Sequence, residues 1–448
     1  MGVVVVRSGW WGSSGADGGA LEPREDPSPG WSAADAVFEP ADQGPEPGTD
    51  PIADVLAGPL AARGLGGRVG TTVVDLTSGE TVFAEGADVA QMPASITKLL
   101  TTAAALAELG PDHRFTTAVT AIEPLTDGVT LTLVGGGDPL LGTTDGSVVT
   151  DLADLADATA AALTEAGVAS VALAYDATMF TGPAVDPDWE PGYLPGGIVA
   201  PIEALMIDAA RLDPEAGGDS GARADDPAEH AAQEFADLLA DAGIDVTAGP
   251  TADAADPAGS EVATIRSAPL SSIVEYTLTS SHDEAAEILT RHVALARGLP
   301  GTSDDGSSAV LAALADLGID VSEVTLADGS GLARGNRIPA TTLGAVLATA
   351  ASADHPRLRP VITGLPVAGF TGTLAQRWTA DAPPGAGEIR AKTGTLTGTS
   401  SLAGVIETSG RATVAFAIIA DDVTDTIAAR AALDDVAGAL YTCGCALP

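Results

Sequence analysis

Lysine is nearly absent from this sequence. Only Lys98 and Lys392 occur among 20 basic residues, so the other 18 basic side chains are arginines. Arginine cannot lose its proton in a protein, whereas lysine can, and an arginine therefore cannot take the place of a lysine that acts as a base. Because the chain otherwise uses arginine for positive charge, both lysines are candidate functional residues.

Cysteine and histidine are also scarce. Cys443 and Cys445 are too few to form a disulfide framework, and a bridge between residues this close in sequence would be strained. The five histidines form no H-E-x-x-H motif, and no C-x-x-C motif is present. The sequence thus argues against a zinc site, and we expect neither a metal nor a cofactor.

Long apolar runs are missing as well. No stretch approaches the roughly 20 apolar residues of a membrane span. Val3–Val6, followed by Arg7, is shorter than the apolar core of a signal peptide, which has about 7–15 residues. We expect an extracellular or cell-envelope protein whose export signal lies outside this reading frame.

Positive charge is outweighed by negative charge. The 20 basic residues stand against 62 acidic ones, which gives a net charge of −42. Nucleic acids and anionic membranes both need a basic surface, so neither is expected as a partner. A surface rich in carboxylates is typical of an exported or salt-exposed protein that charge keeps in solution.

A candidate nucleophile lies at the start of the segment Met92–Leu109. Its Ala, Leu and Glu content predicts a helix that ends at Gly110, with Ser95 at the N-cap position. Ser95 and Lys98 are then one turn apart on one face. A partly desolvated lysine amine can take the proton of a serine hydroxyl, and the free N–H groups of a helix N-terminus can stabilise an oxyanion.

The second lysine supports this interpretation. An isolated S-x-x-K is usually a capping serine followed by a solvated lysine. Here, however, Lys392 opens the segment Lys392-Thr393-Gly394-Thr395. The pair S-x-x-K and K-T-G is the signature of penicillin-recognising serine enzymes.

The order of predicted elements indicates a discontinuous domain. Residues 1–48 are rich in Gly, Pro, Ser, Asp and Glu, which predicts a disordered leader or linker. Residues 49–114 and 270–448 are expected to form the catalytic penicillin-binding domain, an antiparallel sheet flanked by helices. Strands and helices alternate in residues 115–269, which predicts an inserted α/β domain. The overall fold class is therefore α/β, in the α+β sense.

Residues 50–440 resemble the penicillin-binding D-alanyl-D-alanine carboxypeptidases/endopeptidases of low-molecular-mass class C. Besides the two lysine motifs, three segments are similar to recurring segments of that family, namely Gly135-Gly136-Gly137-Asp138-Pro139, Asp328-Gly329-Ser330-Gly331-Leu332 and Phe370-Thr371-Gly372-Thr373-Leu374. The large insertion after Lys98 is also typical of it. The resemblance implies the serine β-lactamase/penicillin-binding-protein fold.

The resemblance also implies a serine-type D-Ala-D-Ala carboxypeptidase. Ser95 would attack the carbonyl of the penultimate D-alanine and Lys98 would take its proton. The N–H groups of Ser95 and Thr395 would form the oxyanion hole. Lys392, Thr393, Gly394 and Thr395 would bind the terminal carboxylate. Peptidoglycan stem peptides are then the expected substrates and β-lactams the covalent inhibitors, and no protein partner is predicted.

The middle motif of the family is altered. Ser-x-Asn, followed by x-x-Ala-Glu, falls on Ser281-His282-Asp283 with Ala286 and Glu287. Ser281 remains available as a catalytic hydroxyl and proton relay. Asp283, expected to contact substrate, replaces an amide that can donate with a carboxylate that only accepts when ionised.

Two other functions remain open from the sequence. One is a catalytically weak penicillin-fold protein that binds peptidoglycan peptides without turning them over. The other is a serine β-lactamase or esterase on the same fold, which the large insertion and the lack of an evident deacylating glutamate loop disfavour.

Overall fold

The structure is a computed structural model that describes residues 51–144, 146–214, 221–378 and 384–445. The predicted leader, residues 1–48, lies outside this part of the chain. Helices and strands both contribute to the fold, as the sequence predicts. Among the described helices, none is both long and apolar enough to cross a bilayer.

The described part of the chain contains ten α-helices and twelve strands. The helices are α1 (Pro51–Leu60), α2 (Lys98–Leu109), α3 (Leu152–Ala166), α4 (Pro227–Asp241), α5 (Leu270–Ser280), α6 (Asp283–Ala296), α7 (Ser303–Asp316), α8 (Ala340–Ala351), α9 (Pro360–Thr363) and α10 (Thr426–Thr442). The strands are β1 (Arg68–Asp75), β2 (Thr81–Glu85), β3 (Thr116–Ala121), β4 (Val129–Val134), β5 (Leu141–Gly142), β6 (Thr150–Asp151), β7 (Ser170–Asp176), β8 (Asp245–Ala252), β9 (Ser260–Arg266), β10 (Arg390–Leu396), β11 (Thr399–Glu407) and β12 (Thr413–Asp421).

The main sheet combines strands from the beginning and from the end of the described chain. Its strand order is β10-β11-β12-β1-β2, and every neighbouring pair is antiparallel. The first hairpin, β1 and β2, precedes the predicted insertion, whereas β10 to β12 follow it. The expected antiparallel sheet built from two chain segments is therefore confirmed.

Helices cover both faces of this sheet, and β12 shows why. All nine of its residues are buried. Because successive side chains of a strand point to opposite faces, Ala415, Ala417 and Ile419 pack with the helices α2 and α5 to α8. The intervening Phe416 and Ile418 pack with α1 and α10. A strand buried on both faces reads as a continuous apolar run, which is how β12 appears in the sequence.

The helix α2 lies in the first of these two cores. Its residues from Lys98 to Leu106 are all buried, so the helix is enclosed by protein around its whole circumference for more than two turns. The helix ends at Gly110, whose φ of 86° allows the chain to leave the helical path, as the sequence predicts. Packing on all sides holds Lys98, the first residue of α2, in place.

A second sheet lies in the segment predicted as an insertion. Its order is β8-β7-β4-β3-β9, and all its strands fall between Thr116 and Arg266. The pairs β4–β7 and β7–β8 are parallel, and the other pairs are antiparallel. The helices α3 and α4 bury their apolar faces against the sheet. Residues 115–269 as a separate domain stay a prediction.

Candidate active site

Ser95 lies in a 3-10 turn, Ala94–Thr97, immediately before α2. Ala94 has a φ of 52°, a left-handed conformation that alanine rarely adopts. The Thr97 hydroxyl donates to the Ala94 carbonyl at 2.8 Å and holds the turn closed. The prediction of Ser95 as N-cap was wrong, because α2 begins at Lys98 and no side chain caps it. The Ser95 hydroxyl therefore does not act as a cap of α2.

The Lys98 amine is completely buried and makes three contacts. It lies 3.3 Å from the Ser95 Oγ, which realises the predicted one-turn spacing. It also donates to Asp283 Oδ1 at 2.6 Å and to the Ser330 carbonyl at 2.6 Å. The amine is thus positioned against the candidate nucleophile by a carboxylate and a backbone oxygen from two distant parts of the chain.

The junction of α5 and α6 supplies the middle motif. Ser281 ends α5 with a φ of 62°, again in the left-handed region. His282 caps α6, because its Nδ1 accepts the Ala285 N–H at 3.2 Å. Burial lowers the pKa of His282 to about 4, so this ring is neutral at pH 7 and serves as a cap.

Asp283 is the first residue of α6 and one-fifth of its side chain is exposed. Burial raises the pKa of the Asp283 carboxyl above its ordinary value, while the nearby Lys98 ammonium opposes that shift. The carboxylate also benefits from the positive end of the α6 dipole. Asp283 and Lys98 form a part-buried ion pair. The family that the sequence resembles has an amide at the position of Asp283.

Lys392 lies on β10 and points toward the middle motif. Its side chain is completely buried and donates to Ser281 Oγ at 2.9 Å and to the Thr393 carbonyl at 2.8 Å. Burial lowers the pKa of Lys392 well below its ordinary value, and the charge of Lys98 lowers it further. Lys392 and Ser281 thus form a pair suited to passing a proton.

Gly394 lets β10 pass close to the Ser95 turn. A Cβ built at this position would lie 2.5 Å from the Pro93 carbonyl oxygen and 3.1 Å from the Ser95 nitrogen. It would also collide with the Ser401 hydroxyl, which donates to the same Pro93 carbonyl at 2.6 Å. Glycine at the third position of K-T-G is therefore required by backbone packing, and Gly394 positions Thr395 rather than offering a side chain.

A cavity of about 650 Å³ opens over these groups. Of the eight residues predicted for the site, five line it, namely Ser95, Ser281, Asp283, Thr393 and Thr395. Lys98, Lys392 and Gly394 lie behind its wall. The structure thus brings all eight residues together, while the role of each one stays a prediction.

Several residues at this site are not predicted by the sequence. The Thr373 hydroxyl lies 2.9 Å from that of Thr393, and Ser330 contributes only its backbone carbonyl to Lys98. Both belong to segments that resemble recurring segments of the family, but neither residue is among those predicted for the site. Arg223 and Glu284 form an ion pair of 3.0 Å, and only 4% of each side chain is exposed. This buried pair connects the segment predicted as an insertion to α6. No motif in the sequence signals that pair.

Glu287 lies beneath the site on α6 and is also buried. Its Oε1 accepts the Ser330 N–H at 2.8 Å, so it supports the loop whose carbonyl contacts Lys98. Burial, together with the charge of Asp328, raises the pKa of Glu287 to about 8. At neutral pH this side chain is therefore largely protonated.

An antiparallel sheet covered by helices, with Ser-x-x-Lys beside its K-T-G strand, defines a protein of the penicillin-binding serine-enzyme class. A family model described as the D-Ala-D-Ala carboxypeptidase 3 (S13) family matches residues 53–221 and 215–441. The chain belongs to this family.

Relatives and solved structures agree. The chain is 36% identical over 428 residues to carboxypeptidase DacB of Mycolicibacterium smegmatis, covering 94% of this chain and 90% of that protein. It is 32% identical over 415 residues to a D-alanyl-D-alanine carboxypeptidase of an Actinomadura species, covering 75% and 74%. The crystal structure of penicillin binding protein 4 from Haemophilus influenzae shares the fold, with a TM-score of 0.71 at 21% identity over 87% of this chain and 98% of that one. The expected family, fold and activity class are confirmed, and the protein is a serine-type D-Ala-D-Ala carboxypeptidase.

Proposed function

We propose that Ser95 is the nucleophile of this carboxypeptidase and that it acts on peptidoglycan stem peptides. The observation that carries the assignment is the Lys98 amine, buried and 3.3 Å from the Ser95 Oγ. A lysine held in that position can accept the hydroxyl proton as the oxygen attacks. The natural site of action is then the cell wall, outside the cytoplasm.

The reaction proceeds through an acyl-enzyme. Ser95 Oγ bonds to the carbonyl carbon of the penultimate D-alanine while Lys98 takes its proton. The resulting oxyanion accepts hydrogen bonds from the N–H groups of Ser95 and Thr395, which are held together by the close approach at Gly394. The C–N bond to the last D-alanine then breaks as its nitrogen takes the proton of Ser281 Oγ, and Lys392 replaces that proton. Water next attacks the ester carbonyl and gives a proton to the Ser281–Lys392 pair, while Lys98 returns its proton to Ser95 Oγ as that oxygen leaves.

Substrate is oriented along β10. The hydroxyls of Thr393 and Thr395 line the cavity, and that of Thr395 donates to the carboxylate of the terminal D-alanine. The Thr393 hydroxyl donates to Thr373 Oγ1 at 2.9 Å. β-Lactams, which present an amide carbonyl and a carboxylate at comparable places, acylate the same serine and act as covalent inhibitors.

The test is covalent labelling by a fluorescent penicillin, followed by intact mass. Ser95→Ala should abolish labelling and leave the thermal unfolding transition almost unchanged, because Ser95 does not cap α2 and, among the described residues, its hydroxyl hydrogen-bonds only to Lys98. Ser280→Ala, at another serine lining the cavity, is the matched control and should label normally. Labelling that persists in Ser95→Ala would eliminate the assignment.

A second function has one observation in its favour. Lys98 Nζ donates to Asp283 Oδ1 at 2.6 Å, and an amine held by a carboxylate is less available to take the Ser95 proton. A protein of this kind would bind stem peptides but turn them over slowly. Release of D-alanine from a pentapeptide, measured per labelled Ser95, separates a carboxypeptidase from a binding protein.

A further inference from the structure

The cavity offers a carboxylate the Thr395 hydroxyl but no lysine ammonium. Lys98 points to Ser95 and Asp283, and Lys392 points to Ser281. Neither lysine side chain is exposed, and neither lines the cavity. A carboxylate bound at the Thr395 hydroxyl therefore needs another cation, all the more because the whole protein carries a net charge of −42.

Four arginines line the cavity, and two of them already have carboxylate partners. Arg223 pairs with Glu284 and Arg377 pairs with Asp434. Arg430 differs from these two. Within the described residues no carboxylate lies at salt-bridge distance from its guanidinium, although Asp434 is one turn further along α10. Instead, Arg430 Nε donates to Thr395 Oγ1 at 3.4 Å.

The backbone beneath Arg430 is fixed. Arg377 donates from Nη2 to the Arg430 carbonyl at 3.0 Å, and Asp434 holds Arg377 in turn. Arg430 therefore extends from an anchored turn of α10 toward the K-T-G strand. Because the Thr395 oxygen accepts from Arg430, the hydroxyl proton of Thr395 remains available to an acceptor in the cavity.

We propose that Arg430 is a substrate-binding residue that holds the C-terminal carboxylate of the peptide together with Thr395. This assignment rests on the proposed function of Ser95. An arginine keeps its charge in any setting and presents several N–H donors, so it binds a carboxylate more strongly than a neutral end group. The enzyme therefore selects peptides that end in a free carboxylate over the same peptides ending in an amide.

The test compares diacetyl-L-lysyl-D-alanyl-D-alanine with its C-terminal amide. Arg430→Gln should lower kcat/KM for the acid by about 10- to 100-fold and leave the amide almost unaffected, since one charged hydrogen-bonding partner is lost. Arg430→Lys should recover part of the loss. Arg411→Gln, at an exposed arginine between β11 and β12, removes the same charge and should behave as wild type.

Three outcomes would overturn the proposal. Arg430→Gln could retain the wild-type kcat/KM for the peptide acid. Alternatively, its kcat/KM could fall by the same factor for the peptide acid and for the peptide amide. Both results contradict the Arg430 assignment alone, provided that penicillin still labels Ser95. A wild-type enzyme that cleaves neither peptide and shows no labelling at Ser95 overturns the proposed function, and this assignment with it.

Discussion

The Lys98 amine faces three oxygens of different character. The Ser330 carbonyl and the Asp283 carboxylate each lie 2.6 Å away, and the Ser95 hydroxyl lies at 3.3 Å. An ammonium satisfies all three, whereas the amine needed as a base must give up one donated bond. For the proposed role of Lys98 as the base that activates Ser95, the identity of residue 283 therefore matters directly.

Asp283→Asn is expected to increase the second-order rate of penicillin acylation at pH 7 by about tenfold, which corresponds to about 1.4 kcal/mol. The amide holds the Lys98 amine less strongly than a carboxylate does, and it can also donate to substrate. Stopped-flow acylation from pH 6 to 10 measures the rates of both proteins.

The control for this experiment is Asp304→Asn, because Asp304 lies in the first turn of α7 as Asp283 does in α6, and is exposed. This variant should acylate as wild type. The neutral His282 ring does not cancel the charge of Asp283. If Asp283→Asn acylates more slowly than wild type across the pH range, the aspartate has a positive role.

Glu287 is expected to make stability depend on pH. Its pKa is about 8 in the folded protein against an ordinary value of 4.5, so between these pH values the folded state retains a proton that the unfolded chain has released. The protonated Glu287 therefore makes its full contribution to stability below about pH 4.5, and this contribution is lost as the pH rises to about 8. Over that range the free energy of unfolding falls by at most about 1.4 kcal/mol per pH unit.

Urea unfolding at several pH values between 5 and 8 checks this expectation. Glu287→Gln keeps the acceptor for the Ser330 N–H and cannot titrate, so its free energy of unfolding should fall less steeply with pH than that of wild type. Glu323→Gln, at an exposed glutamate, should retain the wild-type slope. Parallel slopes for all three proteins would show that Glu287 is ionised in the fold.

At the scale of elements, the site depends on the contact between β10 and the Ser95 turn. Gly394→Ala should lower penicillin acylation at least about tenfold and cost about 1–3 kcal/mol of stability, because the methyl group forces the strand away from the turn. Acylation kinetics and thermal unfolding measure the two effects.

Gly249→Ala is the matched control for the strand. Gly249 lies on β8, and a Cβ there would meet nothing within 4 Å. This variant should acylate normally. Wild-type acylation by Gly394→Ala would mean that β10 need not approach Ser95 so closely and that the oxyanion site tolerates displacement of the strand.

For the whole molecule, the net charge of −42 predicts that salt stabilises the fold. Repulsion among carboxylates is screened as the Debye length falls from about 10 Å at 0.1 M to about 3 Å at 1 M salt. The melting temperature should rise by several degrees over this range at pH 7, and by less near pH 4.5, where many carboxylates begin to be protonated. A melting temperature that falls steadily with sodium chloride would contradict this view.

The sequence by itself determined the class of fold, and it was enough to predict Ser95 as the nucleophile and both lysines as functional residues. Ser95 and Lys98 are one turn apart, and a spacing so short places two side chains together whatever surrounds them. The main-sheet strands were also evident, because alternation and apolar runs are local properties of a strand. The family resemblance rested on such local segments.

Only the tertiary structure decided what surrounds those residues. Asp283 reaches Lys98 across 185 residues and Ser281 reaches Lys392 across 111, separations at which sequence spacing carries no distance information. The Ser330 carbonyl has no side-chain signal at all. The direction of Lys392, toward Ser281, and that of Arg430, toward Thr395, follow from how β10 and α10 pack. Packing is a property of the folded chain rather than of any segment.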